Sequence, residues 1–390
     1  MAPGTTRRTD LLALRVDQVG SLLRPSSLKD AFLACAKSEL TRDALDRLVE
    51  QAVRDVVARQ QAIGYPIVTD GEFGRINWHV SFSKIDGWAL DEASWRSFLA
   101  NPSMRHEHER ANTMGGDAVE SYKTPATARL RLLSNFPLGE YRRLAAAATS
   151  PGKAMLMGPD RVSQMCDLPA SKAVYDSADA FLADVVGVQS RMVGELIDAG
   201  CPYVQLDEPS YTGYVDRATL ERMRARGEDP MANLRRAIGA SNAVVAAHAG
   251  KAVFGIHVCR GNRASMWHRE GTYDGIAEEL FSTLRFDRLL LEYDTARAGG
   301  FEPLRFVPKG PVGTAPVVVL GLVTTKTGEV ETVDALLRRI EDASRFIDTA
   351  QLALSPQCGF ASGMSGNDLS HDQQWRKLEV ILETARRVWR

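Results

Sequence analysis

The stretch "VFGIHVC", residues 253–259, decides how this sequence is expected to fold. It is a largely apolar run that ends where "RGN" (260–262) begins, which is typical of a buried β-strand that runs out into a loop. Side chains two positions apart in a strand point to the same face. His257 and Cys259 are therefore predicted to lie side by side at the carboxyl end of this strand.

Seven further apolar runs alternate with longer segments of helical periodicity. The clearest helices are predicted at 331–346 and 372–389, where apolar residues recur at helical spacing. This alternation predicts parallel strands with crossover helices, and eight such units in 390 residues favour an α/β fold of the (β/α)8 TIM-barrel type over an open doubly wound sheet. The other predicted strands are 15–21, 66–72, 153–159, 203–209, 288–294, 316–323 and 352–358.

We expect a single catalytic domain that occupies 1–390. Residues 1–14 are predicted to form a disordered or extended N-terminus. Residues 89–150 do not fit the alternation, because they are polar and charged, as in "RHEHERANTMGGD" (105–117). They are interpreted as an insertion between the second and third strands, and both a lid and an oligomer contact remain open as its role.

Composition excludes several classes of protein. A net charge of −1 provides no general attraction to nucleic acid or to anionic membranes. No segment approaches the ~20 apolar residues of a membrane span, and "MAPGTTRRTD" (1–10) lacks the apolar part of a signal peptide, so a cytoplasmic location is expected. The five cysteines include no Cys-x-x-Cys and are expected to be reduced. No G-x-G-x-x-G or Walker-A loop follows a strand, which argues against a dinucleotide or nucleoside-triphosphate enzyme.

Candidate metal ligands stand at three predicted strand ends. Active sites of barrels lie at the carboxyl ends of the strands, where His257 and Cys259 are placed. Glu292 lies near the end of the sixth strand, and Cys358 ends the eighth. This set of one nitrogen, one oxygen and two sulfur donors favours zinc over magnesium or calcium. Packing of His257 and Cys259 in the core is the alternative, and it stays open at this point.

Polar clusters follow three other predicted strands. Carboxylates that converge on one barrel mouth are costly unless they bind a cation or the donors of a substrate, such as an ammonium group. Taken one at a time, the clusters also fit loop caps or surface ion pairs. The residues are Ser21 and Arg24 after the first strand, Asp70, Glu72 and Arg75 after the second, and Asp207, Glu208 and Tyr211 after the fourth.

Seven short motifs, in their order along the chain, resemble the catalytic C-terminal barrel of cobalamin-independent methionine synthase, and more closely the short stand-alone members of that family. The likeness runs from Val19 to Cys358 and beyond, apart from 89–150. It implies a zinc-dependent methyltransferase that acts on the sulfur of homocysteine to give methionine. The motifs are "VGSLLRP", "DGEFGR", "GPDR", "QLDEPSY", "HVC", "LEYD" and "PQCG".

The resemblance also implies roles for individual residues. Ser21 would hold the carboxylate of the amino acid through a backbone contact, and Glu72 and Asp207 would hold its ammonium group. Tyr211, from the same cluster as Asp207, is counted with the substrate-binding residues. The implied zinc ligands are His257, Cys259, Glu292 and Cys358.

Two features depart from the family pattern. Full-length members carry a second, N-terminal barrel that helps to hold polyglutamylated folate, and a chain of this length is not expected to contain one. After the seventh strand the family has Asp-Ile-His, whose histidine is thought to protonate the departing folate, whereas this sequence has "GLVTTKTGE" (321–329). A donor other than folate is therefore expected, such as a methyl-corrinoid protein or an S-methyl compound.

His79 in "INWHVSF" (76–82) is the candidate substitute for the missing proton donor. A surface loop packed by its aromatic residues explains this motif equally well. The expected partners are a small thiol and a methyl donor, with neither nucleic acid nor membrane, and a homo-oligomer is left open.

Three alternatives to methionine synthesis are retained. The first is a zinc-dependent thiol alkyltransferase or carbon–sulfur lyase of the type that adds coenzyme M to epoxides. A sulfonate substrate would favour Arg or Lys over Glu72 and Asp207, which makes it the less favoured choice. The second, a metal-free decarboxylase on the related uroporphyrinogen decarboxylase barrel, leaves the two cysteines unexplained. The third is a non-catalytic homologue that binds zinc or thiols, and the missing histidine keeps it open.

Overall fold

The central sheet has six parallel strands, each paired with the next one along the chain, and a separate antiparallel hairpin precedes it. This is a computed structural model, and it describes residues 7–90 and 123–389. The hairpin strands are Lys84–Trp88 (β1) and Ala126–Ser134 (β2), and the sheet consists of Lys153–Met157 (β3), Tyr203–Asp207 (β4), Val253–Val258 (β5), Arg288–Glu292 (β6), Val317–Val323 (β7) and Leu352–Pro356 (β8).

Two of the eight predicted strands, 15–21 and 66–72, are single bridges rather than strands. Val16 pairs in parallel with a residue of β8, and Val68 pairs with the residue that precedes β3. These two segments are joined by a side chain instead of a ladder of backbone hydrogen bonds. The side-chain amide of Gln18, in the first segment, donates to a backbone carbonyl of the second segment at 2.8 Å. The α/β barrel architecture is confirmed, but its hydrogen-bonded sheet is not a closed ring of eight strands.

Helices connect the strands and cover the sheet. The last two long helices confirm the predictions at 331–346 and 372–389, and their apolar stripes are buried. No described helix is both long and apolar enough to cross a membrane. The helices are Arg8–Leu12 (α1), Ser26–Ala36 (α2), Arg42–Ala62 (α3), Phe136–Ala147 (α4), Pro159–Ser163 (α5), Ala178–Asp198 (α6), Arg217–Ala225 (α7), Pro230–Ala246 (α8), Ala277–Thr283 (α9), Val333–Ser344 (α10) and His371–Val388 (α11).

The structure has an extra hairpin between the second and third predicted strand segments, but its bounds differ from the predicted 89–150. The hairpin of β1 and β2 begins before it, at residue 84. Helix α4 lies within it, and the buried side chains of Tyr141 and Leu144 pack this helix against α3 and β3. Helix α4 is therefore the crossover helix that leads into β3, and residues 91–122 lie outside the described part of the chain.

The N-terminal segment corrects a second prediction. Instead of a disordered or extended chain over 1–14, residues 8–12 form α1, and residues 1–6 lie outside the described part. Leu11 and Leu12 are buried because they pack against the residues that surround the amino-terminal end of the barrel. Helix α1 thus covers the end of the barrel opposite the predicted site. The residues that it packs against are Ile67, Tyr203 and Val253.

A buried ionic network joins distant segments inside the barrel. The carboxylate of Asp17 accepts hydrogen bonds from the ammonium of Lys153 at 2.7 Å, the hydroxyl of Tyr203 at 2.9 Å and the guanidinium of Arg288 at 2.9 Å. Burial would raise the pKa of Asp17, but Lys153 and Arg288 outweigh it and lower that pKa. The network ties the first bridge segment to β3, β4 and β6.

Candidate active site

The strand register brings the predicted ligands to one edge of the sheet. Asp207, the last residue of β4, is the direct neighbour of His257 in β5, and Glu292 ends β6. Cys358 follows β8 by two residues. Because all six strands are parallel, their carboxyl ends and the loops that follow them lie at the same edge, as expected for a barrel active site.

Three of the four predicted metal ligands lie together. The ligand atoms of His257, Cys259 and Cys358 are all within 4.8 Å of one another, and the three residues are buried. Nδ1 of His257 is 3.3 Å from the carbonyl oxygen of Leu290, while its buried Nε2 has no hydrogen-bond partner among the described residues. A histidine that donates from one ring nitrogen leaves the other free to bind a metal. These residues therefore fit a metal ion with nitrogen and sulfur ligands.

The two thiols contact each other directly. Their sulfur atoms share a hydrogen bond, which lowers the pKa of Cys259 well below its usual range and raises that of Cys358 well above it. His257 also favours the Cys259 thiolate electrostatically. These contacts favour the thiolate of Cys259, and thiolates are the form in which cysteines bind metals.

Glu292, the fourth predicted ligand, does not belong to this group of clustered donors. Its Oε2 accepts a hydrogen bond from the backbone N–H of Arg260 at 2.6 Å, and its Oε1 lies 3.1 Å from an Nη of Arg297. Burial would raise the pKa of Glu292, but Lys326, Arg260 and Arg297 outweigh it and lower that pKa. The structure thus places Glu292 beside the cluster, as an ionised carboxylate held by arginines.

A cavity of about 600 Å³ opens onto the metal ligands. It is wide enough for a small amino acid and for part of a second substrate, since ligand sites usually occupy ~300–1,000 Å³. The predicted substrate-binding residues Ser21, Glu72 and Asp207 line the same cavity as His257, Cys259 and Cys358.

Ser21 and Glu72 are held by contacts between the loops at the barrel mouth. The Oγ of Ser21 accepts from the N–H of Ala361 at 3.2 Å, so this loop is joined to the segment after Cys358. Glu72 has a left-handed backbone (φ 59°), and its Oε1 lies 3.3 Å from Arg75. Burial raises the pKa of Glu72, with further contributions from neighbouring carboxylates, although Arg75 opposes the shift.

Asp207 is oriented from inside the barrel. The amide of Gln205 donates to its Oδ1 at 2.6 Å and to the carbonyl of Val19 at 2.9 Å. Burial raises the pKa of Asp207, and the neighbouring His257 opposes that shift. Two buried carboxylates with raised pKa values therefore face one cavity, and a cationic group on a ligand would stabilise both.

Two other predicted residues do not face the cavity. The hydroxyl of Tyr211 is 2.8 Å from the Oγ of Ser241 in α8, and Tyr211 is fully buried and absent from the cavity lining. His79 is buried behind Trp78, which does line the cavity. Burial, together with Arg161 and other cations, lowers the pKa of His79 well below its usual range. The contacts of Tyr211 indicate packing, and the role of His79 as an acid stays a prediction.

Lys326 is a residue of the site that the sequence reasoning missed. It stands three residues after β7, in "GLVTTKTGE" (321–329), the segment that lacks the family's histidine. Its Nζ donates to the carbonyl of Gly261 at 3.0 Å and to Oδ1 of Asn262 at 3.3 Å, in the loop that follows Cys259. A lysine just beyond a barrel strand is the signal that could have identified it.

A second missed group is a pair of buried carboxyls, Asp160 and Glu208. The carboxylate of Glu208 accepts from the backbone N–H groups of Asp160 and Arg161, both at 3.1 Å. Burial, followed by the nearby Asp160, raises the pKa of Glu208 to about 8. Asp160 lines the cavity, so a carboxyl that holds a proton near neutral pH lies directly behind the cavity wall.

A family model described as the catalytic domain of cobalamin-independent synthase matches residues 16–369. The resemblance drawn from the sequence motifs is confirmed by this match.

Two relatives illustrate the range of similarity. The chain is 35% identical to the uncharacterized protein YxjH of Bacillus subtilis (strain 168), over 96% of this chain and 95% of that protein. It is 22% identical to 5-methyltetrahydropteroyltriglutamate–homocysteine methyltransferase of Acidiphilium cryptum (strain JF-5), over 98% of this chain and 44% of that protein.

Two solved structures have a similar fold. One is a putative vitamin-B12 independent methionine synthase from Listeria monocytogenes, with a TM-score of 0.71, 25% identity, and coverage of 97% of this chain and 98% of that one. The other is a B12-independent methionine synthase from Shewanella sp. W3-18-1 in complex with selenomethionine, with a TM-score of 0.66, 20% identity, and coverage of 96% and 98%. The second likeness supports the fold alone.

Proposed function

This chain belongs to the family of the catalytic domain of cobalamin-independent synthase, and on that premise we propose that it is a zinc-dependent methyltransferase that methylates the sulfur of homocysteine. One observation carries the proposal. The cavity that is lined by His257, Cys259 and Cys358 is also lined by Glu72 and Asp207, whose carboxylates are otherwise buried. A thiol-binding metal site and an ammonium-binding site therefore face the same space.

The metal would be held by His257, Cys259 and Cys358. When bound, zinc supplies a Lewis acid that stabilises the thiolate of a thiol substrate at neutral pH. The protein supplies two cysteine sulfurs, whose negative charge keeps such a site electron-rich. The carbonyl of Leu290 fixes the orientation of the His257 ring.

The remaining polar groups would orient the amino-acid part of the substrate. Glu72 and Asp207 are placed to attract its ammonium group, and the loop of Ser21 lies at the same wall. Because these carboxylates are buried, a substrate that lacks the amine would leave the second oxygen of each desolvated and without a partner. This geometry supports an amino-acid thiol over a simple thiol.

The proposed donor is a methyl-corrinoid protein or an S-methyl compound rather than methyl-tetrahydrofolate. The loop after β7 carries Thr324, Thr325 and Lys326 in place of a histidine. His79 is kept neutral by its lowered pKa, and a neutral imidazole is a poor acid. A donor whose leaving group needs no proton suits these residues.

A second candidate function has one observation in its favour. Arginines from α7, from the turn after it and from α8 line the cavity, and they could hold an anionic group such as a sulfonate. This would suit a thiol alkyltransferase of the coenzyme M type, and a comparison of homocysteine with coenzyme M separates the two functions. The arginines are Arg222, Arg226 and Arg236.

The metal site can be tested by elemental analysis of anaerobically purified protein. We expect one zinc per chain, and most of it should be lost in Cys259→Ser and in Cys358→Ser. Cys166→Ser should keep its zinc, because Cys166 is buried and lines the cavity but does not belong to the ligand cluster. Zinc well below one equivalent that added zinc does not restore would contradict the site.

Turnover measurements with homocysteine and several methyl donors test the reaction itself. Methionine formation with at least one donor is expected. Stoichiometric zinc without turnover of any donor would favour a non-catalytic zinc- or thiol-binding protein.

A further inference from the structure

Arg24 is a buried arginine whose guanidinium donates to three backbone carbonyls. One Nη binds the carbonyls of Ala361 at 3.1 Å and Gly363 at 3.0 Å, and the other binds the carbonyl of Glu72 at 2.7 Å. Arg24 belongs to the loop that carries Ser21, whereas these carbonyls belong to the loop of Glu72 and to the loop after β8. The guanidinium therefore ties three loops of the barrel mouth together.

The backbone that Arg24 holds at Glu72 has an unusual conformation. Its φ of 59° is left-handed, which is uncommon for a residue with a side chain and persists only where the surrounding contacts impose it. The N–H of Glu72 donates to Oδ1 of Asp70 at 2.9 Å, and its carbonyl accepts from Arg24 and from the N–H of Arg75. The peptide groups on both sides of Glu72 are thus fixed, and with them the direction of its side chain.

The same three loops approach one another closely at Ser21. The carbonyl of Ser21 accepts from the N–H of Phe360 at 2.8 Å, and the backbone N–H that follows Ser21 donates to the carbonyl that precedes Glu72 at 3.1 Å. A Cβ on Gly359 would lie 1.9 Å from Oγ of Ser21, so this approach requires a glycine. A shift of any one loop would therefore move Ser21 and Glu72 relative to each other.

Arg24 supports the cavity without reaching it. It is fully buried and does not line the cavity, whereas Ser21 and Glu72 do. Burial lowers the pKa of Arg24 to about 10, although Glu72 opposes the shift, so its guanidinium stays protonated near neutral pH. Arg24 can therefore affect a ligand in the cavity only through the residues that it positions.

We infer that Arg24 is a positioning residue that holds the backbone of Glu72 in its left-handed conformation, so that the Glu72 side chain stays directed into the cavity beside Ser21. The inference rests on the proposed function, in which Glu72 binds the ammonium group of the substrate. A guanidinium can bind two loops at once because its donors form a planar fork, which the single ammonium of a lysine lacks. Arg24 would thereby maintain the preference for an amino-acid thiol without touching it.

The test compares two thiols on the zinc-loaded, full-length protein. Calorimetry gives the ratio of the affinities for homocysteine and for 4-mercaptobutyrate, which lacks only the amine. Arg24→Met should lower this ratio by about 10-fold, the size expected when a hydrogen bond to a charged group is largely lost. The affinity for 4-mercaptobutyrate should stay within about 3-fold of wild type, because that thiol has no amine for Glu72 to bind.

Further variants locate the effect. Glu72→Gln should lower the ratio at least as much as Arg24→Met, and the double variant should match Glu72→Gln alone, because Arg24 acts through Glu72. Arg24→Lys should give an intermediate ratio. Arg15→Met is the matched control and should leave the ratio unchanged. Arg15 also donates to two backbone carbonyls, of Ala350 at 2.7 Å and Leu352 at 3.1 Å, but at the opposite end of the barrel.

The outcomes separate the two proposals. A wild-type ratio near one that Glu72→Gln leaves unchanged overturns the proposed amine site and this inference together. A ratio that depends on Glu72 but not on Arg24 overturns the inference alone. An equal loss of affinity for both thiols in Arg24→Met also overturns it, because that result indicates a general loss of structure. If Arg24→Met does not fold, Arg24→Lys decides, since an unchanged ratio in that variant overturns the inference and a lowered one supports it.

Discussion

Glu72 and Asp207 are the residues on which the choice of thiol depends. Each has one carboxylate oxygen engaged, Glu72 by Arg75 at 3.3 Å and Asp207 by Gln205 at 2.6 Å. Homocysteine should bind at least about 10-fold more tightly than 4-mercaptobutyrate, which lacks only the amine, because a buried polar atom left without a partner costs about 1–3 kcal/mol. Calorimetry on the zinc-loaded protein measures both affinities. Equal affinities, or equal binding of coenzyme M, would contradict this assignment.

The same two residues predict a pH dependence. Burial raises the pKa of both carboxyl groups above their ordinary values, so they take up protons at a higher pH than exposed carboxylates do. A protonated carboxyl no longer attracts an ammonium group. The ratio of the affinities for homocysteine and 4-mercaptobutyrate should therefore fall as the pH is lowered through these raised pKa values. The ratio cancels the ionisation of the thiol, which both compounds share.

At the scale of single elements, the end of β7 predicts the choice of methyl donor. A positioned general acid typically contributes ~10²–10⁴-fold to a step that needs a proton, and "GLVTTKTGE" (321–329) has no histidine to provide it. Transfer from methylcobalamin or a simple S-methyl donor should be faster than transfer from methyl-tetrahydrofolate in its mono- or triglutamate form. The assay needs saturating homocysteine, added zinc and exclusion of oxygen. Rapid turnover with the folate alone would show that another residue supplies the proton, and His79 would be the first to replace.

The turn between β3 and α5 predicts a steric effect. A Cβ on Gly158 would lie 2.6 Å from Cδ and 2.9 Å from Cβ of Glu208, although the backbone of Gly158 (φ −67°) suits any residue. Gly158→Ala should therefore lower the free energy of unfolding by about 1–3 kcal/mol, the usual cost of overpacking. Urea denaturation measures the change.

The matched control for this prediction is Gly187→Ala in helix α6. A Cβ at Gly187 would have no heavy atom within 4 Å. Alanine there should raise the free energy of unfolding by about 0.5–1 kcal/mol, because glycine weakens a helix interior. If both variants changed stability in the same direction, the steric explanation for Gly158 would fail.

At the scale of the whole molecule, the Asp17 network links segments that are far apart in the sequence. Asp17→Ala would leave Lys153 and Arg288 buried without their carboxylate, and breaking a buried ion pair in this way costs about 3–5 kcal/mol. Asp86→Ala is the control, since Asp86 pairs with Arg131 at the surface, where such pairs contribute about 0–1 kcal/mol. Thermal and urea unfolding should show a large loss of stability for Asp17→Ala and little for Asp86→Ala. A small loss of stability in Asp17→Ala would mean that the structure around Lys153 and Arg288 rearranges to compensate.

Sequence alone determined the features that depend on local periodicity. Because side chains alternate between the two faces of a strand, His257 and Cys259 were predicted side by side. The 3.6-residue repeat of apolar side chains located α10 and α11. The order of strands and helices was enough to place Cys358 at the same edge as this pair, because parallel strands with crossover helices leave their carboxyl ends together. The predicted strands at 15–21 and 66–72 were wrong as strands, since each makes a single backbone bridge to a neighbouring strand and the side-chain amide of Gln18 joins the two segments to each other.

Only the tertiary structure decided which side chains of these loops face the cavity. Glu292 is drawn to Arg260 and Arg297, Tyr211 points to Ser241 in α8, and Lys326 reaches the loop after β5. Each of these contacts joins two different segments of the chain. The order of the segments in the sequence does not tell how far apart their side chains lie in the folded protein. A strand end places a backbone at the barrel mouth, but the direction of each side chain follows from the partner that satisfies its charge or hydrogen bonds after the chain has closed around it.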